Sequence, residues 1–159
     1  MTRARRRDTT LHPLDRSVIH RLLRLVNLIA KPFFAHYGRR HDLSLHEWRV
    51  MMVLANRPGL SSSEICELTG MHLMNVSRGV RRLARLGRLE RRIDPADRRR
   101  AALALTPKGL ALYRRIAPDA WQRERIVHAA LTHGELAQFG RLLDKLLAGF
   151  LAQRNNDKP

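Results

Sequence analysis

Chemically distinctive side chains are most concentrated between residues 72 and 100, where ten arginines stand against three acidic residues. The local formal charge is +7 in under a fifth of the chain. Guanidinium groups match phosphates and guanine edges, and an asparagine amide matches an adenine edge. Asn75 and several of these arginines share one surface of a predicted helix whose inward stripe is Val76, Val80 and Leu83. This pattern indicates a DNA-reading helix, and the alternative is a solvated helix face.

The segment Asp94–Arg100 has the composition of a hairpin tip and ends in three consecutive arginines. Such a tip repels itself unless a polyanion neutralises it. Asp97 can pair with a neighbouring arginine, which leaves Arg99 to enter the narrow minor groove of DNA. We therefore expect double-stranded DNA as the partner. The predicted DNA-contacting residues are Ser61, Ser62, His72, Asn75, Ser77, Arg78, Arg81, Arg82, Arg98, Arg99 and Arg100.

A helix-turn-helix followed by a hairpin would position these side chains. Two Ser-x-x-Glu capping boxes, at 44–47 and 61–64, predict the starts of two helices. A Thr-Gly turn then leads to a helix from about residue 72 to residue 86. Two strand-like runs, 89–93 and 101–105, flank the arginine-rich tip. This order is that of a winged helix-turn-helix, in which one helix enters the major groove.

Apolar residues recur at spacings of three and four near both ends of the chain, which predicts long amphipathic helices. One stripe runs from Val18 to Phe33, with a kink or a break expected at Pro32, and another runs from Leu136 to Phe150. Thr106 and Pro107 predict the start of a further helix, with Pro118 as a candidate interruption. The predicted fold is mainly α with a small β-hairpin wing: a winged helix-turn-helix at 44–106, an α-helical dimerisation region at 13–43 and 107–152, a basic mobile tail at 1–12 and a frayed tail at 153–159.

Lysine and arginine outnumber aspartate and glutamate by 31 to 14 among 159 residues, a formal net charge of +17. The excess favours a polyanionic partner, although a generally arginine-rich proteome would also produce it. The single cysteine, Cys66, excludes an intramolecular disulfide and is expected to be a small buried hydrophobe. No apolar run has the length of a membrane span or follows the N-terminus as a secretory signal would. We therefore expect a cytoplasmic protein with no membrane partner.

The sequence lacks the motifs that would indicate an enzyme. It contains no Gly-rich phosphate loop, no His-Glu-x-x-His motif and no nucleophile elbow. Histidines recur every five residues at 36, 41 and 46, whereas metal sites on helices favour spacings of three or four. We therefore predict neither catalysis nor a metal or other cofactor.

The chain resembles the MarR family of bacterial regulators from about residue 14 to residue 150. The segments that carry the resemblance are 45–51, the helix-turn-helix at 63–87, and Asp97-Arg98-Arg99 followed by Leu105-Thr106-Pro107-Lys108-Gly109. The common wing motif has a further arginine where this chain has Ala96. The resemblance implies an obligate homodimer with interleaved terminal helices. It also implies a palindromic operator, usually bound by a repressor that small molecules, often aromatic acids, release.

The same resemblance implies an effector site between the dimerisation helices and the DNA-binding lobe. A planar carboxylate needs an apolar wall and a cation or donor near its oxygens, and Trp48 and Arg49 have this chemistry. The competing interpretation is structural, with Trp48 in the core and Arg49 in an ion pair to another helix. The predicted ligand-binding residues are His20, Arg24, Asn27, Trp48, Arg49, Met52 and Tyr113.

Together these patterns predict a sequence-specific transcriptional regulator. It would repress an operon for aromatic-compound catabolism or efflux, and a small aromatic carboxylate would relieve the repression. Two alternatives remain, namely an architectural protein that binds DNA irrespective of sequence and a regulator that responds to no ligand. The salt dependence and specificity ratio of DNA binding separate the first alternative, and a screen with aromatic acids separates the second.

Overall fold

A computed structural model describes residues 17–33, 37–93 and 101–156. By internal contacts the chain divides into two compact units, residues 1–115 and 116–159. The predominance of helices around one antiparallel hairpin confirms the predicted fold class. The elements of the described residues are α1 (Val18–Phe33), α2 (Arg39–His41), α3 (Leu45–Asn56), α4 (Ser62–Thr69), α5 (Leu73–Arg85), β1 (Leu89–Ile93), β2 (Ala101–Leu105), α6 (Pro107–Ala129) and α7 (His133–Asn156).

The core of the first unit forms where α3, α4 and α5 meet the hairpin. The predicted inward stripe of α5 is confirmed, because Val76, Val80 and Leu83 are all buried. Full burial of an aliphatic side chain stabilises a fold by roughly 1.5–3 kcal/mol, so this core holds the helix-turn-helix together. Its most deeply buried side chains are Val50, Met51, Leu54, Ile65, Val76, Leu83 and Leu103.

Both predicted capping boxes are present. At the start of α3 the Ser44 hydroxyl accepts the Glu47 N–H at 3.2 Å, and the Glu47 carboxylate accepts the Ser44 N–H at 2.9 Å. Ser61 and Glu64 repeat the exchange at the start of α4. Gly70 ends α4 with φ 65°, a left-handed conformation that favours glycine. The short turn that follows leads directly into α5.

The hairpin pairs Leu89 with Leu105 at its base and Ile93 with Ala101 at its outer end. A third segment extends the ladder, because the Gly59 N–H donates to the Leu103 carbonyl at 2.8 Å and the Leu103 N–H donates to Leu60 at 3.0 Å. The loop after α3 thereby fixes the base of the hairpin. The predicted tip at 94–100 lies outside the described residues.

The interruption expected at Pro118 does not occur, because α6 runs through this residue without a break. A proline inside a helix removes the hydrogen bond to the carbonyl four residues earlier, here that of Arg114. Both residues are exposed, so water can bond this carbonyl and the helix continues. The predicted break at Pro32 stays a prediction, since α1 is described to Phe33 and residues 34–36 are not described.

Helices α1 and α7 expose most of their apolar residues. None of the hydrophobic side chains described on these two helices is buried. Helix α7 reaches Asn156, so its last turn includes residues that the sequence assigns to a frayed tail. None of the described helices has the length and apolar character needed to cross a bilayer. The most exposed apolar side chains of α7 are Leu142, Leu146, Leu147, Phe150 and Leu151.

Candidate nucleic-acid interface

Helix α5 has a buried face and an exposed face. The buried face consists of the inward stripe, Val76, Val80 and Leu83, together with Gly79. Successive residues of a helix are about 100° apart, so other side chains of α5 lie on the side that points away from the core. We call that side the outer stripe. This stripe has four residues, and three of them are arginines. The side of the helix that would fit a major groove is therefore cationic. The outer stripe consists of Met74, Arg78, Arg81 and Arg85, all of them exposed.

Arg82 differs from the other arginines of α5, because its guanidinium is bound within the protein. Nη1 lies 2.9 Å and 3.0 Å from the two carboxylate oxygens of Glu47, and Nη2 bonds the carboxylate of Asp42. The hydrogen bonds that the guanidinium donates to Glu47, and then to Asp42, raise the pKa of Arg82 above its ordinary value. Glu47 is 3% exposed, so Arg82 neutralises a charge that water cannot reach. Arg82 therefore ties α5 to α3, whereas the sequence assigns it to DNA.

Arg88, just beyond α5, makes a second tie to the same region. Its Nη1 donates to the Asp42 carbonyl at 3.1 Å and its Nη2 donates to the His41 carbonyl at 2.8 Å. Both ties hold the end of α5 against the segment from His41 to Glu47. Sequence reasoning misses them because the partners lie 35 to 47 residues apart and two of the acceptors are backbone carbonyls.

The remaining predicted DNA contacts occupy the start of α4, the turn between α4 and α5, and the edges of the outer stripe. Ser61 uses its hydroxyl in the cap of α4, where it donates to Glu64 at 2.7 Å. His72 is the N-cap of α5, and its Nδ1 accepts the Met74 N–H at 3.2 Å. The partly exposed predicted contacts are Ser61, Ser62, Asn75 and Ser77.

The wing is anchored at its root by the segment that follows β2. Thr106 donates its hydroxyl to the Gly87 carbonyl at 2.7 Å, and Lys108 reaches the Leu86 carbonyl at 2.9 Å. A Cβ on Gly109 would lie 1.9 Å from the carbonyl oxygen of Arg88, so only glycine fits there. This explains the Leu-Thr-Pro-x-Gly pattern physically, because it locks the hairpin onto the end of α5.

The arginines of the wing divide between described and undescribed residues. The predicted contacts Arg98, Arg99 and Arg100 all belong to the undescribed tip. On β1, Arg91 and Arg92 are exposed, and Arg92 lies 2.7 Å from Glu90. Successive side chains alternate between the two faces of a strand, so Arg91 shares a face with the buried Leu89, and spacing along the strand would not have added it to the predicted set.

Trp48, the central candidate for ligand binding, is 5% exposed and stacks on Tyr113 of α6. The ring centroids are 5.3 Å apart and the planes differ by 22°. Met52 is one turn further along the same face of α3 and is exposed. Arg49 points elsewhere, because its Nη2 donates to the Thr69 carbonyl at 3.1 Å. This bond takes the place of the ion pair considered from the sequence.

Three consecutive residues of α3 thus reach three different helices. Glu47 is bound by Arg82 of α5, Trp48 stacks on α6, and Arg49 bonds the end of α4. Successive side chains on a helix are about 100° apart, so this short segment faces most directions around α3. Helix α3 is therefore the element through which α4, α5 and the start of α6 are aligned.

The other predicted ligand residues lie on α1. His20, Arg24 and Asn27 follow the spacing of one helix face and all three are exposed. Cys66 is half-buried rather than fully buried, and desolvation together with Glu67 raises the pKa of its thiol. Within the described part of the chain, no group of three or more histidine, cysteine or carboxylate side chains could hold a metal ion.

The region built around α3, α4, α5 and the hairpin is also the region that known proteins share. The family model described as MarR family matches residues 41–100. The chain is 25% identical over 119 residues to the homoprotocatechuate degradative operon repressor of Escherichia coli. That alignment covers 75% of this chain and 80% of the repressor.

Solved structures extend the similarity to nearly the whole chain. A MarR/EmrR family transcriptional regulator from Acinetobacter sp. ADP1 superimposes with a TM-score of 0.80 at 26% identity, covering 89% of this chain and 99% of that chain. Bordetella bronchiseptica BpsR, whose DNA binding is regulated by 6-hydroxynicotinic acid, superimposes with a TM-score of 0.74 at 25% identity. Here the covered shares are 86% of this chain and 96% of BpsR.

Proposed function

Because the chain belongs to the MarR family of transcriptional regulators, we propose that it is a homodimeric repressor that binds a palindromic operator. The observation that carries the proposal is the outer stripe of α5. Three arginines are exposed on the side of the helix opposite the core, namely Arg78, Arg81 and Arg85. The guanidinium of Arg82 is instead bound by the carboxylates of Asp42 and Glu47. A basic, solvent-facing helix of this kind fits the major groove and reads base edges there. The protein would act in the cytoplasm, and we propose no catalytic activity for it.

The wing supplies the second part of the DNA contact. Thr106 and Lys108 bind the base of the hairpin to the end of α5. The wing and α5, which is the recognition helix, would therefore dock on DNA together. We expect Arg99 at the tip to reach the minor groove, where narrow segments attract arginine. Arg91 on β1 is exposed, and we expect it to meet the phosphates beside this groove.

Homodimerisation is supported by the apolar residues that one chain leaves exposed. Leu146 and Phe150 on α7, and Leu25 and Ile29 on α1, face solvent in the single chain. Apolar surface on this scale marks an interaction site. A second copy of the chain would bury it and would hold two recognition helices about one turn of DNA apart.

We further propose a small aromatic or heteroaromatic carboxylate as the effector. The Trp48–Tyr113 stack and Met52 offer an apolar wall, while His20, Arg24 and Asn27 offer polar partners on one face of α1. Arg49 is engaged by Thr69, so we assign it a supporting role in positioning α4. The names of the relatives support this class, because one represses a homoprotocatechuate operon and another responds to 6-hydroxynicotinic acid. The operon under control would then serve aromatic-compound catabolism or efflux.

The DNA-binding proposal is tested by selecting an operator from random duplexes and titrating the dimer at fixed salt. We expect one palindromic motif and binding to it about 10³-fold or more tighter than to unrelated DNA. A ratio near unity would instead identify an architectural DNA-binding protein. Tight binding to a motif without symmetry would contradict the dimeric docking alone.

The effector proposal is tested by calorimetry on the free dimer with hydroxybenzoates, cinnamates and pyridine carboxylates. A true effector must bind the DNA-free state better than the DNA-bound state, so it must also lower operator affinity. Tyr113→Leu should weaken ligand binding, and His133→Ala, on an exposed residue of α7, serves as the control. If no compound of the panel binds, the effector proposal fails and the DNA-binding proposal stands.

A further inference from the structure

Met74 is the one apolar member of the otherwise cationic outer stripe. Its side chain is 56% exposed, and it precedes Arg78 by four residues, which places the two side chains one helical turn apart. Packing in the core does not account for it, because the buried face of α5 is on the opposite side. A thioether carries no charge for phosphates. The group that Met74 meets in a complex should therefore be apolar.

The major groove of DNA presents one such group, the C5 methyl of thymine. Recognition helices bring their N-terminal residues to base edges, and Met74 is the second residue of α5. The Met74 N–H is already bonded to the Nδ1 of His72 at 3.2 Å, so its side chain is the part left to contact DNA. Methionine is flexible and polarizable, which suits it to packing on an isolated methyl group.

We propose that Met74 packs against a thymine methyl in each half of the operator and thereby sets part of the sequence preference. The inference rests on the proposed function, because it requires α5 in the major groove. With Arg78 one turn further along the same stripe, each half-site would combine a methyl contact with a nearby arginine contact to a base. The thymine should therefore lie within a few base pairs of the base that Arg78 reads.

Leu73 provides a matched control for Met74. It is the preceding residue, it is 52% exposed, and it is apolar. It nevertheless points about 100° away around the helix, outside the outer stripe. Alanine at either position removes a similar exposed side chain, so only the direction of the side chain distinguishes the two variants.

The experiment replaces each thymine of the selected operator by uracil, which removes the C5 methyl and leaves the base pairing intact. Burying one methylene or methyl group is worth about fourfold in affinity, so we expect about a fourfold loss for one half-site and about sixteenfold for both. This loss should occur at one thymine position for each half-site. Met74→Ala should bind the parent operator more weakly and should show no further loss at that position. Leu73→Ala should keep the full loss.

Thermal melting of both variants checks that they fold, and Met74→Gln provides a second variant that keeps the length of the side chain without its apolar end. Equal affinity of the natural protein for every uracil-substituted operator would overturn the inference. A loss that persists in Met74→Ala and Met74→Gln, or that disappears in Leu73→Ala, would also overturn it. If no motif is selected and all duplexes bind alike, the proposed function itself fails and the inference fails with it.

Discussion

The recognition region, which we define as residues 37–93 and 101–115, and the helices α1 and α7 differ in how far they expose their apolar side chains. The first buries a continuous set of side chains and ties its helices together with charged and hydrogen-bonded contacts. Helices α1 and α7 leave leucine, isoleucine and phenylalanine side chains exposed along their length. One region is therefore complete within a single chain, and the other needs a second surface. Damage to the first should appear as lost stability, and damage to the second as lost assembly.

The largest effect is expected from a charge on α7. Phe150, 61% exposed in the single chain, would be central to the dimer surface, so Phe150→Asp should yield monomers. Operator affinity should fall by roughly 10²–10⁴, because two linked half-site contacts become independent. Sedimentation and operator titration measure the two effects. Ala148→Asp, which adds the same charge on the other side of α7, should change neither.

A monomeric but fully folded Phe150→Asp protein would sharpen the contrast between the two regions. Loss of the helical circular dichroism signal of the whole chain would contradict it, since the recognition region should remain folded. A Phe150→Asp protein that stays dimeric would contradict the proposed dimer surface.

The second effect concerns the charged cluster inside the recognition region. Arg82→Ala leaves the buried Glu47 carboxylate without its cationic partner, which should lower the free energy of unfolding by about 3 kcal/mol. Denaturant titration measures the change. Arg81→Ala, at the neighbouring exposed arginine, should alter stability by less than about 0.5 kcal/mol. If Arg82→Ala keeps its stability and releases one fewer counterion on DNA binding, this structural role is wrong and Arg82 contacts DNA.

The third effect separates recognition from stability within α5. Arg78→Ala should cost roughly 1–3 kcal/mol at one operator position if the side chain reads a base, with no loss of stability. If it touches only phosphate, affinity should fall about evenly across sequences and the salt slope should drop by about one. Titration against operators changed at single positions, at two salt concentrations, distinguishes the two roles. Arg78→Ala with unchanged affinity at fixed salt would contradict the docking.

The smallest effect is expected from His41, which stacks on Tyr37 with ring centroids 6.4 Å apart. Burial, and then the charges of Arg40, Arg115 and Arg88, lower the pKa of His41 below its ordinary value of 6.5. The unfolded chain therefore binds more protons than the folded chain just below pH 6.5, so stability should fall slightly as the pH drops through that range. His41→Gln should flatten this dependence in denaturant titrations at pH 7.5 and pH 5.5. An unchanged slope would mean that other groups cause it.

The sequence predicted features that depend on neighbouring residues. The capping boxes of α3 and α4 and the inward stripe of α5 follow from spacings of three and four residues, and the two strands follow from the polar tip between them. The structure confirms all of these elements. Pro118 misled the prediction because its effect depends on solvent access to a carbonyl, which spacing does not reveal.

Long-range contacts explain what the sequence left unpredicted at the candidate site. Glu47 was recognised as a capping residue, but its second role as the partner of Arg82 joins positions 35 residues apart. Arg49 offered a charge for a ligand, yet it bonds a backbone carbonyl that no sequence pattern marks. Seven arginines from residue 78 to residue 92 look alike in the sequence, and only long-range contacts separate the structural ones from the exposed ones.

Among the described residues, no side chain of the outer stripe takes part in the contacts that tie α5 to the other elements of the recognition region. Met74, Arg78, Arg81 and Arg85 are exposed, and α5 is fixed by its opposite face and by Arg82. The DNA preference of such a protein can therefore drift in evolution, or be redesigned, without a matching change in the core. A library randomised at these four positions should consist mostly of folded dimers, and new operators could be sought in it while the wing root and α3 are left untouched.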